Sequence, residues 1–272
     1  MTTLGTTLLL YPTAGDFVKN EKYKKAISKY EQIVNGLDAD ACEKILTDAI
    51  EYNIQRSSDE TPTLSMSQDE WEMYENTLNI PGTDVIGYIE IPKVAISLPI
   101  YHNATAEVME RGVGHIEGSS LPVGGENTHS ILIAHRGLSG DKLFTDVGEL
   151  TFGDTFTLYV LNETLTYEVD RIMTVEPSIP DELEIEEDMD FCTLVTCTPY
   201  GVNTHRLMVR GHRIETPESY PRVDTFHIGI VSLIVMVTVD SAAIIALMII
   251  CLFIFHAVKK RKRLVLPHEN SV

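Results

Sequence analysis

At Val85 the sequence changes texture, and that change limits the fold. From there the chain is a succession of short apolar or alternating runs: VIGYIEIP, AISLPIYH, SILIAHRG, FTLYVL, LTYEVDRIMTV, FCTLVTC and HRLMVRGHRI. Gly or Pro punctuates nearly every gap, and runs of this length and composition read as strands separated by turns. No long helical pattern intervenes. Seven or eight such strands without crossover helices predict a mainly β domain, either a closed barrel or a sandwich.

Upstream the period is helical. Tyr23, Ile27, Tyr30 and Val34 recur at steps of four, three and four, predicting an amphipathic helix over residues 16–35. Asp38 or Asp40 can cap a second helix reaching about Gln55, with Ile45, Leu46, Ala49 and Ile50 on its apolar side. Residues 57–66 (SSDETPTLSM) form a polar, Pro-containing linker. Ser67 followed by Glu70 is a capping box that opens a third helix running to Leu78.

Charge and hydropathy place these parts. The net charge of −19 excludes nucleic acid as a partner, because phosphate binding needs a basic surface. The charge is uneven: KKRKR and Glu269 give residues 259–272 a charge of +4, leaving −23 on residues 1–258. Residues 226–258 are almost continuously apolar, more than the roughly 20 residues a bilayer-spanning helix needs. The basic cluster that follows marks the cytoplasmic side, so the C-terminus is expected inside and the β domain outside. Asp240 is expected at the outer boundary of the span. The opening TTLGTTLLLYP is too short to span and lacks a basic leader region.

Four cysteines are too few for a disulfide-stapled domain. Cys192 and Cys197 lie in one strand, roughly 16 Å apart and on opposite faces, so they cannot pair. No His/Cys cluster has metal-ligand spacing, and no cofactor is expected. Cys197 ends its strand, and His135 ends the SILIAH strand. Arg206 opens the strand that a hairpin would lay beside Cys197. A nearby cation favours the thiolate, and a Cys–His pair is the minimum for thiol acyl transfer. On spacing alone this constellation is permitted, and an inert buried cysteine is the ordinary alternative. His102, His115, His129 and His205 read as loop or strand-end residues, His205 being near the site only by adjacency to Arg206.

The stretch TLVTCTPYGVNTHRLMVRGHR resembles the catalytic segment of sortases, and AHRGL preceded by GVGHIEGSSLPVGG resembles the histidine region of their class C group. GYIEIPKVAISLPIYH and KLFTDVGEL are similar to further segments of that group. The resemblance implies an eight-stranded sortase β-barrel with Cys197 as nucleophile, His135 as acid/base and Arg206 as substrate and oxyanion stabiliser. It implies a transpeptidase that cleaves a Leu-Pro-x-Thr-Gly-like (LPxTG) sorting signal. The acyl group then passes to a lysine of a pilin, building covalent pili. Attachment of surface proteins to a peptidoglycan precursor is the alternative within the family, and a non-catalytic membrane-tethered binding domain the alternative outside it.

The expected plan is therefore the outer end of a membrane segment (1–12), a helical subdomain with a lid-region linker (13–80) and a catalytic barrel (81–217). A transmembrane anchor (226–258) and a basic cytoplasmic tail (259–272) follow. Leu10, Tyr11 and Pro12 match the end of the group's N-terminal membrane helix, so that helix is expected to begin upstream of Met1. The Asp-Pro-aromatic lid of the group has only Asp59 and Pro62 here, with Trp71 as the nearest aromatic. An open or loosely covered site is expected.

Overall fold

All seven runs read as strands are strands, and an eighth joins them. In the computed structural model they are β1 (Val85–Ile91), β2 (Ile96–Tyr101), β3 (Val113–His115), β4 (Thr128–Ile133), β5 (Thr155–Val160), β6 (Glu163–Val175), β7 (Asp190–Thr198) and β8 (His205–Ile214). They close into a barrel in the order β1-β2-β3-β4-β7-β8-β6-β5. The β2–β3 and β4–β7 pairs are parallel and the others antiparallel. The structure describes residues 2–57, 66–137, 142–177, 185–217, 223 and 248.

Alternation sorts the strand side chains. Leu132 and Ala134, Cys192 and Leu194, and Leu207 and Val209 turn inward to the main core. Ile131, Val195 and Met208 take the opposite parity, and with Ile116 they form a small separate cluster on the outer face of β4, β7 and β8. Met173 and Val175 of β6 extend that strip, as does Ile133.

Four helices accompany the barrel: α1 (Thr2–Gly36), α2 (Ala39–Ser57), α3 (Gln68–Asn76) and the single turn α4 (Ala106–Met109). Tyr23, Ile27, Tyr30 and Val34 are all buried, each contributing roughly 1.5–3 kcal/mol to docking of α1. The Tyr30 hydroxyl accepts from the Leu161 amide at 2.7 Å and donates to the Ile86 carbonyl at 3.3 Å. The helix begins well before residue 16 and passes through Pro12. Leu8, Leu9 and Leu10 are strong helix formers that offset one proline.

The cap of α2 is Asp38, whose Oδ1 accepts from the Ala41 amide at 2.7 Å. The buried side of α2 is corrected in one respect: Ile50 is 41% exposed, whereas Asn53 and Arg56 are buried. The buried stripe Cys42–Ala49–Tyr52–Asn53–Arg56 keeps helical spacing, and Ile50 falls off it. Two of its polar members bond to distant backbone, and Arg56 also pairs with Glu70 at 3.3 Å. Asn53 exchanges two hydrogen bonds with Leu121, and Arg56 donates to the Gly118 carbonyl at 3.0 Å.

Helix α3 has the expected capping box at Ser67 and Glu70, and its Tyr74 is wholly buried against His115. His115 lies at the end of β3, with Nε2 2.8 Å from the Ser120 carbonyl and Nδ1 2.9 Å from the Tyr74 hydroxyl. A carbonyl only accepts, so the ring carries its proton on Nε2 and accepts from Tyr74. Helices and barrel share one core and lie in one compact unit, Met1–Val223. Among the described residues no helix is long and apolar enough to cross a membrane. Apart from Met248, the expected span 226–258 lies outside the described residues.

Candidate active site

Strand β7 sits between β4 and β8, and this neighbourhood assembles the candidate residues. Cys197 is paired directly across from Arg206 in the antiparallel β7–β8 hairpin. The turn that follows is closed by the Val202 and Asn203 amides, each donating to the Pro199 carbonyl at 3.0 Å. On the other flank, β4 runs parallel to β7 with Ile133 opposite Val195. The pairing continues past the strand end: the Ala134 amide donates to the Val195 carbonyl at 3.2 Å, and Thr196 Oγ1 donates to the Ala134 carbonyl at 2.8 Å. Carrying that register two places further sets His135 level with Cys197.

Cys197 and Arg206 thus pair on neighbouring strands, and His135, two residues past the end of β4, falls in register with Cys197. They share the outward parity of Ile133, Val195 and Met208. Each is partly exposed. The Arg206 guanidinium donates to the His205 carbonyl at 3.2 Å, back on its own turn. Neither His135 nor Arg206 has an acidic partner among the described residues.

Cys192 shows the contrast. It lies on the inner face with no exposure, and burial first, then the Asp190 carboxylate, pushes its thiol well above the ordinary range. It cannot serve as a thiolate nucleophile. Cys42, Cys192 and Cys197 are all unpaired. Among the described residues no group of three or more His, Cys, Asp or Glu side chains could hold a metal ion.

Of His102, His115, His129 and His205, expected on loops or at strand ends, two are buried. His129, the second residue of β4, has Nε2 2.7 Å from Thr193 Oγ1 and is 1% exposed. His115 is fully enclosed. His102 lies beyond β2 with Nε2 2.9 Å from the Thr77 carbonyl. His205 is exposed at the start of β8. Trp71 packs on Tyr74 within α3, their centroids 5.9 Å apart, and residues 58–65 of the lid-region linker lie outside the described residues.

The sortase domain model matches residues 89–214, which contain every one of these site residues. The crystal structure of sortase C1 from Streptococcus agalactiae is 47% identical, with a TM-score of 0.69, and the match covers 71% of this chain and 100% of that one. The chain belongs to the sortase family. Sortase C from Clostridium perfringens, solved with the C-terminal cell wall sorting motif, is 42% identical over 71% of this chain and 99% of its own, with a TM-score of 0.62. Streptococcus pneumoniae sortase C is 38% identical over 72% of this chain and 99% of its own, also with a TM-score of 0.62. These neighbours place this sortase in the class C group. Among curated relatives, sortase D of Bacillus subtilis is 31% identical over 131 residues, 47% of this chain and 63% of its own length. The chain thus spans about three fifths of the length of the curated relatives it first matches.

Sequence reasoning about this sortase passed over three neighbours of the site. Arg136 donates from Nη1 to Thr198 Oγ1 at 2.9 Å, joining the residue after His135 to the residue after Cys197. Gly137 has φ +76° and leaves no room for a side chain, because a Cβ there would lie 2.7 Å from the Tyr200 ring. Tyr200, 61% exposed, packs its ring beside that glycine. The only signal for these contacts in the sequence was adjacency within AHRG and TCTPYG.

Proposed function

We propose that this chain is a cysteine transpeptidase acting on sorting signals. One observation carries the reading: His135, Cys197 and Arg206 occupy the outward face of neighbouring strands at one rim of the barrel. The Cys197 thiolate adds to the threonine carbonyl carbon of an LPxTG-like signal. Arg206, a fixed cation beside the sulfur, stabilises the oxyanion that forms. The C–N bond to glycine then breaks, and the His135 imidazolium gives its proton to the departing amine. A thioester remains. An acceptor amine attacks it, loses a proton to His135, and expels the sulfur as thiolate.

The outer strip offers apolar contacts to the substrate class. Ile133 and Met173 are partly exposed and pack on the buried Ile131, Val195 and Met208, apolar edges suited to the leucine and proline of such a signal. The sorting motif solved with the C. perfringens enzyme supports the donor, and the pilin substrate specificity named for the S. pneumoniae enzyme supports a pilin substrate. A pilin lysine is the acceptor in this reading. The excess of acidic residues over 1–258 also favours a cationic acceptor. In this reading the domain works outside the cell, residues 226–258 anchor it in the membrane, and residues 259–272 lie in the cytoplasm.

The test is to incubate the full chain in detergent with a pilin carrying an LPxTG-like signal. Covalent high-mass ladders are expected, and Cys197→Ala should give none. Ladders that persist with Cys197→Ala would refute the assignment, and transfer only to a peptidoglycan-precursor amine would select the cell-wall reading.

A further inference from the structure

We propose that Arg136, acting through Thr198, is a positioning residue that holds His135 in register with Cys197. The proposal rests on the catalytic reading of those two residues. The parallel β4–β7 pairing is regular only as far as Ile133 and Val195, and both chains leave the sheet within a few residues. Beyond that point one backbone bond, Ala134 amide to Val195 carbonyl, continues the pairing, and side chains add to the alignment of His135 with Cys197.

Three ties occur there. The Thr196 hydroxyl reaches back to the Ala134 carbonyl. The Arg136 guanidinium reaches the Thr198 hydroxyl at 2.9 Å. The Tyr200 ring approaches Gly137 so closely that a Cβ there would lie 2.7 Å from it. They bracket the pair, the second joining the residue after His135 to the residue after Cys197. Parity turns Arg136 and Thr198 away from the outward face, so this tie works from behind the reacting groups.

Arg136 is held in that place by packing. Its Nη2 lies 3.3 Å from where a Cβ on Gly148 would sit, and Gly148 itself abuts Leu207 of the core. Nε is buried without a hydrogen-bond partner. An uncharged side chain of the same length would avoid that cost. The guanidinium is thus poorly suited to a purely packing role, and its one described hydrogen bond is the one that spans the two catalytic segments. From the far side, the His135 carbonyl accepts from the Phe144 amide at 3.1 Å, and Thr145 Oγ1 accepts from the Gly137 amide at 3.1 Å. The Arg136–Thr198 tie completes a frame around the two segments that carry His135 and Cys197.

An acid/base group displaced by about 1 Å can lose on the order of 100-fold in rate. The tie is tested in the full chain with a sorting-signal peptide, by measuring kcat, KM and thermal unfolding. Thr198→Val removes the acceptor at constant shape, Thr198→Ser keeps it, and Arg136→Met removes the donor. Thr198→Val and Arg136→Met should each lower kcat about 10- to 100-fold, with KM and unfolding temperature nearly unchanged. Thr198→Ser should restore turnover. The double variant Arg136→Met/Thr198→Val should be no slower than the slower single variant, because both remove one interaction. Wild-type kcat in Thr198→Val, or losses that multiply in the double variant, would overturn the proposal. Cleavage by Cys197→Ala would instead overturn the catalytic reading on which it stands.

Discussion

Acid should unfold this protein through His115, and the size of the effect follows from its surroundings. The ring is wholly buried, and burial pulls its pKa down to about 3, opposed by the Ser120 carbonyl and aided by the nearby His102. In the unfolded chain a histidine titrates near about 6.5. The folded value is depressed, so the unfolded state binds the extra proton first. His115's contribution is therefore fully present above about pH 6.5 and is lost as pH falls from there toward 3. At pH 5 the loss is about 2 kcal/mol, and at pH 4 about 3 kcal/mol, from 1.36 kcal/mol per unit of pKa difference. For a domain of this size 2 kcal/mol lowers the unfolding temperature by roughly 4–8 °C. Carboxylates titrate over the same range, so the measurement compares wild type with His115→Gln in urea unfolding at pH 7 and pH 5. The stability advantage of the wild type should shrink by about 2 kcal/mol between those pH values. An advantage that stays constant with pH would refute the reasoning.

Two further outcomes are expected. Ser67→Ala breaks the capping box, in which the Glu70 amide donates to the Ser67 hydroxyl and the Ser67 amide to Glu70. It should cost about 1 kcal/mol in chemical unfolding, and an unchanged midpoint would refute the role. Gly137→Ala must place a Cβ at φ +76° and 2.7 Å from Tyr200. It should destabilise by about 1–2 kcal/mol from the backbone alone, and adding Tyr200→Ala should recover only what the clash contributes. A Gly137→Ala protein as stable as wild type would count against that geometry.

The barrel was legible because its seven longer strands read as short apolar or alternating runs bounded by Gly and Pro; β1, buried at every position, shows as a continuous run rather than an alternation. β3 escaped notice because Val113–His115 is three residues long, too short for a period to show. Helix α2 was legible from its aliphatic residues, but not its full buried stripe. Asn53 and Arg56 are polar, and their burial depends on partners far along the chain, the Leu121 and Gly118 backbone groups and the Glu70 carboxylate. Likewise His115 could be placed near a strand end, yet its enclosure depends on Tyr74, which comes from a distant helix. In the site, Cys197 and Arg206 could be set together from the sequence because a hairpin is local. The level placement of His135 depends on a parallel pairing between chain segments some 60 residues apart, which no local pattern encodes.

That separation has a consequence for the order in which the protein acquires its structure. The β7–β8 hairpin closes over only a few residues, from Thr198 to His205, so its contacts form at little entropic cost and early. The β4–β7 pairing, Thr128 with Asp190 through Ile133 with Val195, must wait until the whole β5–β6 excursion has been gathered in. Long-range parallel pairings of this kind are among the slowest to form. A newly made or partly unfolded chain therefore has its thiol beside an arginine well before it has a histidine. Only the closed barrel brings all three together.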